Sequence, residues 1–335
     1  MSAPTDEGVE ILYEGRDDAR LAALSERGLK RRDLTPGMRV ELARVLDPAG
    51  RAAPPEGRLP WIHLPWRGAL LRVLDRDMYR RVRLSRNREV INLREADRLG
   101  AARIGVVGQS VGHTMARALA MEGIGGLRLI DDDALELSNL NRVPLGLPEL
   151  GLSKVVASAR RIWELDPFTD VDVWPGALAP QDAARFVEGL DVVVDACDSF
   201  AAKASLRAAA AAARVPLIME TSYRGTLDLE NYLRDPTHRP FHGAMDGPLP
   251  TQDSADGRVA LFQRLLGPLT ERVEITLRGL GTEFVSYPQT ASDIMVGAAS
   301  VARLVRALVL GADIPSGRWR FDLAHVLEPP TEGRS

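Results

Sequence analysis

Cysteine is almost missing: Cys197 stands alone in 335 residues. One cysteine excludes an intramolecular disulfide and any structural zinc site built from cysteines. Lysine is nearly as scarce, found only at Lys30, Lys154 and Lys203, while the other forty basic residues are arginine. A lysine kept in so arginine-rich a chain marks a place for a compact point charge, although chance survival reads equally well for any one of them. An excess of one charge is absent too. Forty-three Lys and Arg against forty-six Asp and Glu leave a net charge of −3, so nothing global favours nucleic acid or an anionic membrane. The opening MSAPTDEGVEILYEGRDD is acidic and has no apolar centre, so it is not read as a signal peptide. The longest apolar run, AAAAAARVPLIME, is broken by Arg214 and Pro216 and is unfit to span a bilayer. The expectation is a cytoplasmic protein with neither nucleic-acid nor membrane partners.

What is present is an ordinary globular balance, 45% hydrophobic and 27% charged residues, in a chain long enough for one large domain and an appended piece. Residues 1–75 read as an N-terminal extension suited to substrate recognition. It has two short helices at best before the Pro- and Gly-rich linker LDPAGRAAPPEGRLP. Trp61 and Trp66 read as packing anchors, and the basic run RDMYRRVRLSRNR as a solvated helix face. From residue 103 the pattern alternates. RIGVVG, GLRLID, VDVWPG, DVVVDAC and PLIMETS read as strands, separated by the helices HTMARALAMEG, KVVASARRIWELDP, PQDAARFVEGL and SLRAAAAAARV. This alternation predicts an α/β, doubly wound, mostly parallel sheet of Rossmann type over residues 76–330. GTLDLENYL reads as a further strand, residues 235–290 as an irregular excursion, and ASDIMVGAASVARLVRALVLG as a long amphipathic helix.

The first alternation contains GQSVGH, residues 108–113. It fits the G-x-S-x-G elbow that raises a serine nucleophile in α/β-hydrolases. It equally fits a glycine turn that aims backbone N–H groups at a phosphate from a helix N-terminus. The hydrolase reading fares poorly. Ser110 follows the first convincing strand rather than a late one, no glycine-rich oxyanion segment lies upstream, and Asp198 with His325 is a pair any long chain supplies. In the nucleotide reading an acidic residue about 20 positions on holds a ribose; Asp131 ends the second strand, in LIDDDALELSNLNR. A glycine loop with such an acid does not by itself separate ATP from NAD.

The next motifs do. DDDALELSNLNR, then GLSK, then VVVDACDSFAAK closely resemble the ordered motifs of the ubiquitin-activating-enzyme-like adenylyltransferases, the ThiF/MoeB/HesA family. RLSRN at 83–87 resembles the arginine motif upstream of that family's first strand, and the likeness runs over roughly residues 79–311. GQSVGH, SNLNR, ELDP and RPFHG resemble more closely still a subgroup related to the ThiF half of ThiF–nitroreductase fusions. The nitroreductase-like part itself is not expected in this chain. The resemblance implies MgATP as the nucleotide. Arg142 and Lys154 would hold the triphosphate, Asp198 the Mg²⁺, and Asp131 and Asp133 the nucleoside side. Asn139 would brace a phosphate or the loop, and Gly108, Ser110 and Gly112 would form the phosphate bed. Arg86 would reach into a partner subunit's site, which implies a homodimer. Bland readings remain for single residues: Arg142 paired with Asp132 or Asp133, Asp198 capping a helix, and Lys203 on the surface, although the resemblance puts a basic residue facing the site at Lys203.

Departures from the family pattern carry chemistry. The loop is one residue short, Ser110 replaces a glycine, His113 opens the helix, and Val143 stands where a glutamine is usual. No cysteine lies in 235–290, so the thioester route of some members is not expected, and Cys197 reads as a packing residue rather than a nucleophile. The expected activity is adenylation of a carboxylate, on a peptide, a small carrier protein or a small acid, with direct passage of the acyl group to an external nucleophile. His242 is a candidate base for that passage, with a structural role as the plainer reading. A nucleotide-binding module weakened in catalysis and an NAD(P)-linked oxidoreductase are the alternatives.

Overall fold

The computed structural model describes residues 8–50, 57–221 and 225–322. The segment before Arg72 is more ordered than its composition suggests. It runs β1 (Glu10–Leu12), α1 (Asp18–Glu26), β2 (Lys30–Asp33), α2 (Thr35–Leu46), β3 (Trp61–Leu64) and β4 (Ala69–Arg72). These strands make a four-stranded sheet in the order β1-β3-β4-β2, with β2 parallel to β4. The two helices were expected; the sheet was not. Its strands have only three or four residues, and β2 is KRRD with all four residues exposed, so no period-two apolar signal exists to be read. Trp61 is buried and Trp66 packs on Trp163 at 6.0 Å while donating to Glu164. Both act as the anchors expected of them.

The basic run forms α3 (Arg76–Arg83) and a 3-10 turn at Ser85–Asn87 before α4 (Leu93–Ala101). It is not simply a solvated face. Arg83 is bonded to the buried Asp166 at 2.8 Å, and Arg80 lies against the same carboxylate. Arg76, Arg81 and Arg86 line a cleft of about 800 Å³ against Arg44 of α2.

The main sheet follows as expected: β5 (Arg103–Val107), α5 (Val111–Glu122), β6 (Gly126–Asp131), α6 (Lys154–Leu165), β7 (Asp170–Pro175), α7 (Ala183–Val187), β8 (Val192–Asp195), α8 (Phe200–Ala213) and β9 (Leu217–Thr221). Then come β10 (Thr226–Glu230), α9 (Ala255–Leu266), α10 (Glu271–Gly279), α11 (Ala291–Val309) and β11 (Gly317–Arg320). The order is β11-β10-β9-β8-β5-β6-β7; β7, β6, β5, β8 and β9 are parallel, and β10 and β11 close one edge antiparallel. Strands such as Val192–Val194 are apolar on both faces because helices cover both. One face packs on α5 and α11, the other on α7 and α8. The excursion 235–290 is not irregular, since it contains α9 and α10 around Phe241, Leu261 and Leu265.

The strand order jumps from β5 to β8, so β6 and β8 leave β5 in opposite directions. That switch point at the carboxyl edge opens the crevice in which such sheets bind ligands. Among the described residues no helix is long and apolar enough to cross a membrane.

Candidate nucleotide site

Gly108 takes φ +89°, and a Cβ there would stand 2.5 Å from the Ala196 carbonyl oxygen, so only glycine lets β5 turn so close to β8. Gly112, inside α5, sits where a Cβ would press on Val106 and Ala196. Ser110 is the N-cap of α5 but its hydroxyl bonds no helix amide; it accepts from Arg142 Nη2 at 3.4 Å. His325, named with it in the hydrolase reading, lies outside the described residues. Among the described residues the hydroxyl faces a guanidinium. His113 is fully buried and bonds Ser158 at 2.9 Å through Nδ1. Burial, aided by Arg117 and Arg161, pushes it down to about 3. It is a neutral packing group and no phosphate ligand.

Asp131 ends β6, as expected, but both its oxygens are engaged. Oδ2 accepts the Gln109 N–H and Oδ1 the Asp133 N–H at 2.8 Å. Burial raises its carboxyl, and those two amides oppose the rise. Asp131 thus ties the glycine loop to the next strand before any ribose arrives. Asp133 is the more open of the two, and it accepts from Lys154 Nζ at 2.7 Å. Lys154 is buried at the start of α6. Asn139 accepts the Glu136 N–H at 3.0 Å; it braces the turn.

That turn presents Arg142, which bonds the Ser138 carbonyl and Asn141 and pairs with neither Asp132 nor Asp133. Its Nε is buried without a hydrogen-bond partner among the described residues. Burial lowers the Arg142 pKa and the charge of Asp198 pushes it back. Asp198 lies exposed between β8 and α8. It is not a helix cap, because Ser199 caps α8 by accepting from Ala202 N–H. The structure therefore gathers Gly108, Ser110, Gly112, Asp131, Arg142 and Asp198 along one edge, with Asp133 and Lys154 paired beside them. Arg86 is not among them, for it lies in the arginine-lined cleft of its own chain.

Several groups escaped the sequence reading. Arg207, fully buried in the alanine helix, binds Asp195 at 2.7 Å and Glu230 at 2.6 Å. Lys203 is no surface residue; it bonds the other Asp195 oxygen at 2.9 Å. Burial opposes ionisation of Asp195, but these two cations outweigh it and hold the carboxyl far below the usual range. Cys197 donates to Asp195 at 3.2 Å, and burial together with that carboxylate drives its thiol far up. A thiol held protonated is a poor nucleophile. Glu220, buried with neither carboxylate oxygen bonded among the described residues, carried no signal in its apolar strand.

A family model described as the ThiF family matches residues 84–234. An uncharacterised protein of Mycobacterium tuberculosis is 41% identical over 286 residues, covering 82% of this chain and 40% of that protein. The Mus musculus adenylyltransferase and sulfurtransferase MOCS3 is 33% identical over 166 residues, 48% of this chain and 36% of that one. The tRNA threonylcarbamoyladenosine dehydratase of Escherichia coli is 36% identical over 130 residues, 38% of this chain and 48% of that one. The chain thus spans less than half the length of each of these relatives. The crystal structure of the Escherichia coli dehydratase, TcdA, matches with a TM-score of 0.51 at 22% identity, covering 71% of this chain and 98% of that one. At that identity the likeness speaks for the fold.

Proposed function

Residues 84–234 of this chain are a ThiF-family domain, and from that premise we propose that the protein activates a carboxylate with ATP. The substrate carboxylate attacks the α-phosphorus, pyrophosphate leaves, and the acyl-adenylate passes to an external nucleophile without an enzyme thioester. The observation that carries this reading is the junction of Arg142, Ser110 and Asp198. A partly buried guanidinium with no carboxylate bond leans on the glycine loop and feels the charge of an exposed aspartate. Such a fixed cation stabilises charge moving onto the leaving pyrophosphate. Lys154 adds a second cation once the triphosphate draws it from Asp133.

Among the described residues no three ligating side chains form a metal cage. One exposed carboxylate, Asp198, would hold a Mg²⁺, a hard cation that prefers oxygen and needs few protein ligands beside phosphates. When bound, the ion would neutralise charge on the phosphates. Arg86 is exposed and makes no ion pair among the described residues, which favours its use across a homodimer. The acyl substrate is a peptide or carrier C-terminus or a small acid, and the setting is cytoplasmic.

ATP–pyrophosphate exchange with peptide, carrier and small-acid carboxylates tests the reading. Exchange that depends on both magnesium and one carboxylate class is the expected result. Tight MgATP binding with no exchange for any acid would make the protein a binding module instead, and NAD binding without ATP binding an oxidoreductase. The direct route makes a second demand. Cys197→Ser should change exchange and product formation by less than about twofold, because a hydroxyl can keep the bond to Asp195. Loss of product with unfolding temperature unchanged would restore the thioester route.

A further inference from the structure

The excursion holds a set of side chains that adenylation does not use. Asp228, on β10, is buried and accepts from Arg318 Nε at 2.9 Å and from His242 Nε2. Burial pushes its carboxyl up, yet the His242 hydrogen bond and the Arg318 charge outweigh that and hold it below the ordinary range. An ionised carboxylate only accepts, so in neutral His242 the proton sits on Nε2 and Nδ1 is the acceptor. His238 Nε2 lies 3.0 Å from that Nδ1 and is the donor there. His238 Nδ1 is then the open end, with no hydrogen-bond partner among the described residues. A buried carboxylate, an oriented imidazole and an outer imidazole stand in line, the arrangement that makes a base rather than a surface histidine.

Backbone strain marks the same place. Phe241 and His242 take φ +50° and +56°, in the left-handed region that side chains avoid at a cost. The strain aims His242 inward at Asp228 while Phe241 is buried below. Phe241 packs with Met219 and Phe200 in one apolar cluster, and Phe200 opens α8 two residues after Asp198. The apolar cluster beside His242 thus reaches the first turn of α8, close in sequence to Asp198. Of the other charged groups near the relay, Asp235 accepts from Thr237 and also feels the charge of His238, Glu230 accepts the Phe241 N–H, Arg207 lies on the Phe241 ring, and Arg239 pairs with Asp246.

We propose that Asp228, His242 and His238 form a proton-accepting relay that serves attack of an amine on the activated acyl group. This rests on the adenylation reading. The amine lone pair forms the C–N bond, and the acyl C–O bond breaks with its electron pair leaving on AMP. The ammonium proton goes to His238 Nδ1. The positive charge is shared with His242 through the Nε2–H···Nδ1 bond and is met by Asp228. His238 is the catalytic base; His242 and Asp228 position and charge-balance it.

Synthetic acetyl adenylate with hydroxylamine tests this on the full chain, since it supplies the activated acyl group without ATP. Acetohydroxamate formation is followed across pH, with the uncatalysed rate subtracted at each point. The wild-type rate should rise with pH as one base loses its proton. His238→Gln and His242→Asn should each lower it about 100-fold and remove that rise. Asn is chosen at 242 because it tolerates a left-handed φ, and circular dichroism with thermal unfolding checks the fold. Variants that keep the wild-type rate and pH profile overturn the relay, as does a wild-type protein no faster than buffer. Failure of the adenylation reading shows separately, as absent pyrophosphate exchange in a wild-type protein that still catalyses aminolysis.

Discussion

Asp198→Ala should abolish magnesium-dependent pyrophosphate exchange, a loss of about 1000-fold or more, with the fold unharmed. Asp198 is exposed, makes no ion pair among the described residues, and leaves the capping of α8 to Ser199. Its removal should therefore stay within about 0.5 kcal/mol of wild-type stability, as surface changes do. In the proposed reaction its charge has a different weight. A bound triphosphate would bring several negative charges to an edge whose cations are Arg142 and Lys154, and a metal on Asp198 would complete their neutralisation. Losing one preorganised group aimed at developing charge costs about 100- to 1000-fold, and losing a metal with it costs the upper end or beyond. Asp198→Asn keeps the size and one oxygen acceptor but not the charge, so it should recover little. The check is exchange velocity against magnesium concentration, with urea unfolding alongside. Exchange within tenfold of wild type in Asp198→Ala would end the assignment of this residue to the metal.

The parts of the site legible in the sequence are those where the chemistry is local. GQSVGH, DDDALELSNLNR and DVVVDACD each end a strand, so a parallel sheet lays their tips along one edge, and a linear motif becomes a spatial one. Roles that depend on distant backbone were harder to see. Asp131 was expected to await a ribose, yet its oxygens hold the amides of Gln109 and Asp133; backbone donors leave no trace in residue type. Arg207 sits in an alanine-rich helix, and its partners Asp195 and Glu230 are 12 and 23 residues away. His238 and His242 become a relay only because β10 returns antiparallel and places Asp228 beneath them. The N-terminal sheet escaped because strands this short have no period to read, and β2 has no apolar residue to bury.

Raising the pH from 5 to 8 should destabilise the fold by about 3.5 kcal/mol through Glu220 alone, and Glu220→Gln should remove that share. Glu220 lies near the carboxyl end of β9 with 5% of its surface exposed, and neither oxygen has a hydrogen-bond partner among the described residues. The helix above is notched to admit it: a Cβ at Gly297 of α11 would overlap the Glu220 carboxyl carbon. Burial, reinforced by the negative charge of Asp293, raises its pKa from 4.5 to about 8. In the unfolded chain the same carboxyl ionises in the ordinary range. Below that range both states hold the proton, and Glu220 contributes no pH dependence. Between it and about 8 the folded state binds a proton that the unfolded state releases, so stability falls as pH rises. Above about 8 both states are ionised and the loss levels off. Glutamine has the same shape and no proton to lose, so the variant should match or fall slightly below wild type at pH 5 and exceed it at pH 8. Urea unfolding of both proteins at the two pH values isolates the effect, because other titrating groups act alike in both and cancel. Equal pH dependence in the two proteins would mean that Glu220 is ionised within the fold, and the notch at Gly297 would then hold a charge whose partner lies elsewhere.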